Sequence, residues 1–368
     1  MSTFEVKVIK INAIETIPTA DAIELAVVGD YRSVVRKDQY KAGDLAVYIP
    51  EAAILPDWLI KEMGLEGKLA GNNKNRVKAV KLRGCLSQGL LYPVVNNILE
   101  LKDDDVHVKL DASVAQALGI VKYEPVIPTS MAGEVYNAGL EYTVKYDIEN
   151  IKKFPSVLTE GEEVVFSEKI HGTFCGVGVL PETEADGRHF ERRIVLFSKG
   201  LGAQGLCFKP NEANTNNVYV RAMRQNGIFE KLLSYLGKQA DPVFLLGEVY
   251  GPGVQDLTYG DKLNFRVFDA VAKVNSQLVY WNVDTMQAIC KNMNIETVPF
   301  LYRGPFSKEL MMQYTSGKET VSGKEIHTRE GIVIKPGQER REPELGRVIL
   351  KSVSQEYLLR KGDTTEFN

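Results

Sequence analysis

Lys169 lies in the run SEKIHG at 167–172, and an ordered series of charged and aromatic residues follows it. Lys199 comes in SKG at 198–200, Glu248 in GEVYG at 247–251 and Phe268 in FRVFD at 265–269. Glu330 and Lys335 bracket EGIVIK at 330–335, and Lys351 ends VILK at 348–351. A lysine can attack a phosphorus centre only after losing a proton it ordinarily holds up to pH about 10.4. Desolvation or nearby positive charge must therefore act on Lys169. Lys199, Lys335, Lys351 or a bound metal could supply that charge. Glutamates can hold a divalent metal on phosphates, and lysines can neutralise phosphate oxygens.

Each residue also has a plainer use. Lys169 alone would be a surface lysine at a turn, and only the series behind it favours chemistry. Gly172 suits a tight turn with close backbone approach, while His171 could be a hydrogen-bond donor or a turn residue. Glu248 ends an apolar run between glycines, where it suits a ribose hydroxyl, a metal or simple exposure. The glycine-rich stretch 252–260 could be an active-site loop or a long hairpin. Phe268 could offer a stacking face to a purine or fill the core. Along a strand, Glu330 and Ile334 share one face and Lys335 points the other way, so a twist or bulge must bring both ends to one pocket. Arg347, Ile349 and Lys351 share a face. Ser352, Ser354 and Tyr357 could reach substrate or cap the next helix.

The elements that must carry these residues can be read from patterning. In 5–14 apolar and polar residues alternate, and 23–28, 31–35, 45–49 and 76–83 are further short strand-like runs separated by turn residues. Such spacing predicts a small barrel over 1–125. Pro128, Ser130 and Gly133 mark 126–145 as a linker. An α+β domain is expected over 146–361. It has central strands at 164–166, 244–246, 265–268 and 331–334, and helices at 216–236 (stopped by Gly237) and 284–293. A frayed tail is expected at 362–368.

The chain has 368 residues, 44% hydrophobic and 25% charged, with a formal net charge of -3. This is ordinary globular composition with room for two cores. Overall charge neither supports nor excludes a nucleic-acid partner, which needs only a local basic face. Arg76, Lys78, Lys81 and Arg83 are the candidate face, able to track a phosphate backbone or simply to solvate a strand. The four cysteines form no C-x-x-C pair and share no metal-ligand spacing with the histidines. Reduced thiols are expected. No apolar run reaches membrane-spanning length, and the first residues lack an apolar leader core. A cytoplasmic protein without membrane association is expected, including one that is virus-encoded and acts in the host cytoplasm.

Taken with their order, these motifs resemble the covalent nucleotidyltransferases, and most closely the ATP-dependent RNA ligases of the Naegleria and Deinococcus type. The stretches at 247–260 and 349–358 add to the likeness, and the turn at 17–24 resembles the opening of OB-type domains. The resemblance covers nearly the whole chain. It implies an N-terminal OB-type β-barrel followed by a nucleotidyltransferase (ligase adenylation) domain with antiparallel sheets and flanking helices. It implies Lys169 as the nucleophile that takes AMP, with the Glu168 main chain helping to read adenine. Lys199 would contact phosphate, Glu248 the ribose or the metal, and Phe268 would stack on adenine. Glu330 would bind the metal, Mg²⁺ or Mn²⁺, and Lys335 and Lys351 the ATP phosphates. The implied partner is RNA, as nicked duplex with 3′-hydroxyl and 5′-phosphate ends, and a monomer is expected.

The chain departs from the family pattern where two lysines two apart are common, because Ile349 precedes Lys351; Arg347 or Lys335 could compensate. Lys199 stands where relatives often carry arginine, which keeps charge but loses a bidentate fork. DNA ligases and GTP-using capping enzymes are the neighbouring readings. Both usually add a C-terminal OB domain, whereas this chain ends 17 residues after Lys351. A non-catalytic RNA-binding protein is the alternative from another class, and the presence of Lys169, Glu248 and Glu330 together argues against it.

Overall fold

The computed structural model describes residues 4–94, 113–124, 126–181 and 194–360. The tail expected at 362–368 lies outside them. The chain divides into two compact units, Met1–Glu124 with Ile151–Pro155, and Pro125–Asn150 with Ser156–Asn368.

In the first unit the strands Lys7–Lys10, Leu45–Ile49 and Leu90–Pro93 form one antiparallel sheet. Ala13–Thr16, Ile23–Val28 and Tyr31–Arg36 form another. The Leu45–Ile49 strand serves two cores. Val47 and Ile49 pack with Val8, Leu55 and Leu59, and Ala46 packs with Ile11, Ala26 and Val35. A strand buried on both faces reads as a continuous apolar run, as this one does.

Two sequence expectations for this unit need correction. The run 5–14 is not one strand. It breaks at Ile11–Asn12, where the Ile11 N–H donates to the Asp44 carbonyl and the Asn12 N–H to Val27. Its halves thus pair with different sheets. Nor is 76–83 one strand: only Val80–Leu82 is extended in a ladder, paired with Cys85–Ser87. Val77 and Ala79 are buried between half-buried Arg76 and Lys78. The alternation that suggested a strand is therefore an alternation of burial, with isolated bridges from Arg76 to Ile54 and Ala70 in place of a ladder.

The second unit stacks two five-stranded sheets. One runs Glu149–Asn150, Leu350–Val353, Gly331–Pro336, Glu163–Lys169, Phe300–Pro305. The other runs Ile194–Ser198, Thr173–Val179, Val243–Tyr250, Asn264–Val274, Gln277–Tyr280. All pairings are antiparallel except Glu149–Asn150 on Leu350–Val353. Side chains alternate along Val243–Tyr250: Phe244 and Leu246 join Val333 and Ile349 in one core, and Val243 and Leu245 face the helices in the other.

The expected helix at 216–236 is two, Val218–Gln225 and Ile228–Leu236. Asn217 caps the first by accepting from the Tyr219 and Val220 N–H groups. Gly227, in the left-handed conformation, separates the two. The helix expected at 284–293 is Val283–Asn292. Residues 126–145, expected as a linker, carry the strand Val135–Asn137, paired with Leu206–Phe208. The four cysteines are free thiols. Among the described residues no helix is long and apolar enough to cross a membrane.

Candidate active site

Lys169 ends the strand Glu163–Lys169 and pairs in register with Gly331. That register brings Glu330, the residue before Gly331, beside it, and the Lys169 Nζ lies 2.7 Å from Glu330 Oε1. Here the conflict over Glu330 and Lys335 resolves. Gly331 has φ of 155°, a conformation nearly closed to other residues. A Cβ there would sit 2.0 Å from the Ser352 carbonyl oxygen. Gly331, with its positive φ, opens its strand directly after Glu330, and the regular alternation beyond it points Val333 and Lys335 into the cavity that Lys169 lines.

Gly172 works by close approach to a neighbouring strand. A Cβ there would meet the Val249 carbonyl oxygen at 2.3 Å and the Glu248 Cγ at 2.8 Å. Thr173 pairs with Val249 and Phe174 with Glu248, so the turn after Lys169 seats Glu248 in the cavity. Phe265 is buried against the helices, whereas Phe268, three residues on, opens to the cavity. Its ring is held by Tyr146 at 5.3 Å and Phe174 at 6.0 Å between centroids.

Glu168, Lys169, Lys199, Glu248, Phe268, Lys335 and Lys351 all line this one cavity, with Tyr146, Asp147 and Val298. The Glu168 carboxylate turns away to accept from the Thr320 N–H at 2.9 Å and hydroxyl at 2.6 Å, and the Glu168 N–H donates to the Pro299 carbonyl. The four RNA-face candidates belong to the other unit. Lys81 and Arg83 are exposed, and the Arg76 guanidinium lies 4.3 Å from the Tyr123 ring centroid.

Charge in the cavity is strongly coupled. Burial, then Lys169 and Lys199, push the Lys351 amine down to about 8. Burial and then Lys169 lower Lys199, which also pairs with Asp147 at 2.9 Å. Burial pushes the Glu248 carboxyl up to about 8; Lys169 opposes this and Glu330 reinforces it. Lys335 is lowered by burial, against the pull of Asp269 at 3.1 Å.

Asp269, to which the sequence reading assigned no role, is a buried hub. It accepts from the Tyr146 hydroxyl at 2.8 Å and from Arg347 Nη1 at 2.6 Å. Burial alone would raise its carboxyl, but Lys335 and Arg347 outweigh burial and hold it below its ordinary range. Arg347 is thereby committed: it pairs with Asp269 and Glu339 and stacks on Tyr280 at 3.6 Å. Of the two candidates to compensate for Ile349, Lys335 lines the cavity. Asp147 and Asp269 were missed because a lone aspartate carries no spacing signal; Asp269 was visible only as the end of FRVFD.

A divalent metal fits this donor set. Among the described residues no three His, Cys, Asp or Glu side chains gather to cage an ion. Glu330 lies within electrostatic reach of Glu248, whose carboxyl burial raises first and Glu330 raises further. One or two carboxylates completed by substrate phosphates and water are what Mg²⁺-like ions take.

A family model described as RNA ligase matches residues 162–353, and a model for an OB-fold domain matches 5–94. Among solved structures, a lysine-to-alanine mutant of Naegleria gruberi RNA ligase with ATP and Mn superposes with a TM-score of 0.76 at 22% identity. That match covers 96% of this chain and 98% of that one. The same ligase with PPi gives 0.76 at 22% identity, covering 97% and 98%. An arginine-to-alanine mutant with ATP and Mn gives 0.77 at 22% identity, with the same coverage. At this identity the likeness concerns the fold. Among curated proteins none matches.

Proposed function

The chain belongs to the RNA ligase family, and from that premise we propose that it is an ATP-dependent enzyme sealing RNA 3′-hydroxyl and 5′-phosphate ends through a lysyl-AMP on Lys169. The observation that carries this reading is the convergence of Lys169, Lys199, Lys335 and Lys351 with Glu248 and Phe268 on one cavity. The solved structures of similar fold that contain ATP, AMP or PPi with or without Mn support it.

In the first step the Lys169 Nζ attacks the α-phosphorus of ATP. An N–P bond forms, the bond to pyrophosphate breaks, and the lysine proton leaves. The Lys169 amine shares its cavity with Lys199, Lys335 and Lys351 and lies 2.7 Å from Glu330, so like charges act against its ammonium form and the carboxylate acts for it. Phe268 would stack on adenine and Glu248 would hold the ribose. Lys335 and Lys351 would face the phosphates, where fixed positive charge stabilises the developing negative charge. Glu330, with Glu248, would hold Mg²⁺ or Mn²⁺, whose contribution when bound is to neutralise phosphate oxygens. In the second step an RNA 5′-phosphate oxygen displaces Lys169 and forms a phosphoanhydride with AMP. In the third the 3′-hydroxyl attacks that activated phosphate, AMP leaves and a phosphodiester forms. The proposed setting is repair of nicks in duplex RNA in the cytoplasm by a monomer.

Incubation with ATP labelled at the α-phosphate and either metal tests the first step. Label bound covalently to protein and lost in Lys169→Ala supports it; no label with ATP or GTP would sink it. A nicked RNA duplex, a single strand and a nicked DNA duplex then separate the substrates, with fastest sealing expected on the RNA nick.

A further inference from the structure

His171, two residues past Lys169, takes no part in the steps above, yet its ring is held at both nitrogens. It is 2% exposed. Its Nε2 lies 2.8 Å from Asp256 Oδ1 and its Nδ1 2.8 Å from the Tyr357 hydroxyl. Its backbone N–H donates to the Tyr259 hydroxyl at 2.7 Å, and the Gln255 amide donates to the Gly172 carbonyl next door. Arg360 closes the outer side. Its Nε donates to Asp256 Oδ2 at 3.0 Å and its Nη2 to Oδ1 at 3.3 Å, while its guanidinium lies 3.9 Å from the Tyr357 ring centroid.

The partners assign the ring. A carboxylate gripped by a guanidinium accepts hydrogen bonds, so His171 Nε2 carries the hydrogen and donates to Asp256. With the hydrogen on Nε2, Nδ1 can accept, and the Tyr357 hydroxyl can donate to it. Glu330 Oε2 lies 3.8 Å from the same Nδ1. The imidazole therefore stands directly behind the Lys169–Glu330 pair, with its orientation set from both sides.

A buried polar cluster stabilises only when every member is satisfied, and an apolar side chain would pack a turn at lower desolvation cost. What the cluster adds is a fixed orientation beside a nucleophile, where small misplacements cost rate. We propose that Asp256, Tyr357 and Arg360 are positioning residues, a clasp that acts through His171 to hold Lys169 and Glu330 in the arrangement nucleotide transfer requires. The inference rests on the reading of Lys169 as the AMP acceptor. It also assigns a task to the segment after the strand Leu350–Val353: the short helix Gln355–Leu358 and Arg360 return the chain to the nucleophile turn.

Single-turnover labelling of the full chain by α-labelled ATP tests it. Tyr357→Phe, which removes one oxygen, should slow labelling at saturating ATP by about 10-fold or more, the scale seen when a partner orienting a reactive group is lost. The ATP concentration for half-maximal rate should stay within about twofold. Asp256→Ala should lose a similar factor, and Asp256→Asn, which keeps an acceptor for Nε2, should recover most of it. The double variant Tyr357→Phe/Asp256→Ala should be no slower than its slower parent, because both act through one ring. Unchanged rates in Tyr357→Phe and Asp256→Ala, multiplicative losses in the double variant, or a defect confined to low ATP would each overturn the clasp. If Asp256→Ala does not fold, Tyr357→Phe carries the test. Labelled wild type with equally fast variants removes the clasp alone. Unlabelled wild type removes the reading of Lys169, and the clasp with it.

Discussion

Phe268 and Glu248 show how single side chains in the cavity are tuned by their surroundings. Phe268 is backed by Tyr146 and Phe174, so its cavity face is held in place for a flat ligand. Base stacking on an aromatic contributes about 1–3 kcal/mol. Phe268→Ala should therefore weaken ATP binding by about 5- to 150-fold, measured as the half-saturating concentration for labelling; an unchanged value would place adenine elsewhere. Glu248 carries a pH signature. Its carboxyl sits at about 8 in the folded chain, against about 4.3 in an unfolded one. Between those values the folded chain holds the extra proton, so this group's contribution to stability is full at low pH and is lost as pH rises through 8. Glu248→Gln removes the dependence. Its thermal midpoint relative to wild type should rise between about pH 5 and about pH 8.5. A flat difference across that range would contradict a half-buried, proton-retaining Glu248.

At the scale of elements, one glycine follows the first of two charged residues five apart, Glu330 at the Lys169 amine and Lys335 in the cavity that Lys169 lines. The strand Gly331–Pro336 alternates regularly, and Gly331, paired with Lys169 and held at positive φ, sets Glu330 at the Lys169 amine while Lys335 reaches the cavity. Gly331→Ala would add backbone strain of about 1–3 kcal/mol and a clash with the Ser352 carbonyl. The expected result is a lowered thermal midpoint together with loss of ATP labelling. A variant that folds and labels like wild type would show that Glu330 does not depend on this glycine. A similar break at Gly227 splits the helical run that covers the second sheet, since one straight helix cannot follow both Val218–Gln225 and Ile228–Leu236.

At the scale of the whole molecule, two units with separate cores divide the residues into two sets. The nucleotide-site residues all lie in the second unit, and exposed Lys81 and Arg83 lie on the hairpin of the first. If that hairpin contacts RNA phosphates, Lys81→Ala with Arg83→Ala should weaken RNA binding. It should also reduce the slope of log affinity against log salt by about 2, roughly one counterion per contact. ATP labelling of Lys169 should be unaffected. An unaltered salt slope would move the RNA face off this hairpin.

What the sequence determined by itself was the identity and order of the chemical groups. Lys169, Glu248, Phe268, Glu330, Lys335 and Lys351 were legible because each adjoins or lies in an apolar run whose period marks a strand, although Phe268 falls in the middle of its strand, Asn264–Val274, and not at an end. Most strands of the first unit's two sheets were legible for the same reason, whereas Thr173–Val179, Ile194–Ser198, Gln277–Tyr280 and Phe300–Pro305 of the second unit were not. The breaks were not: Ile11–Asn12 and Asn226–Gly227 interrupt periodicities that continue across them, the first because the chain changes its pairing partner and the second because Gly227 takes the left-handed conformation. Tertiary structure alone decided the ion pair of Lys169 with Glu330, the commitment of Arg347 to Asp269 and the grip of Asp256 and Tyr357 on His171. Those contacts join residues 78 to 186 positions apart. A lone aspartate or tyrosine carries no period and no spacing, so its role exists only once the sheets have stacked and brought its partner within hydrogen-bonding distance.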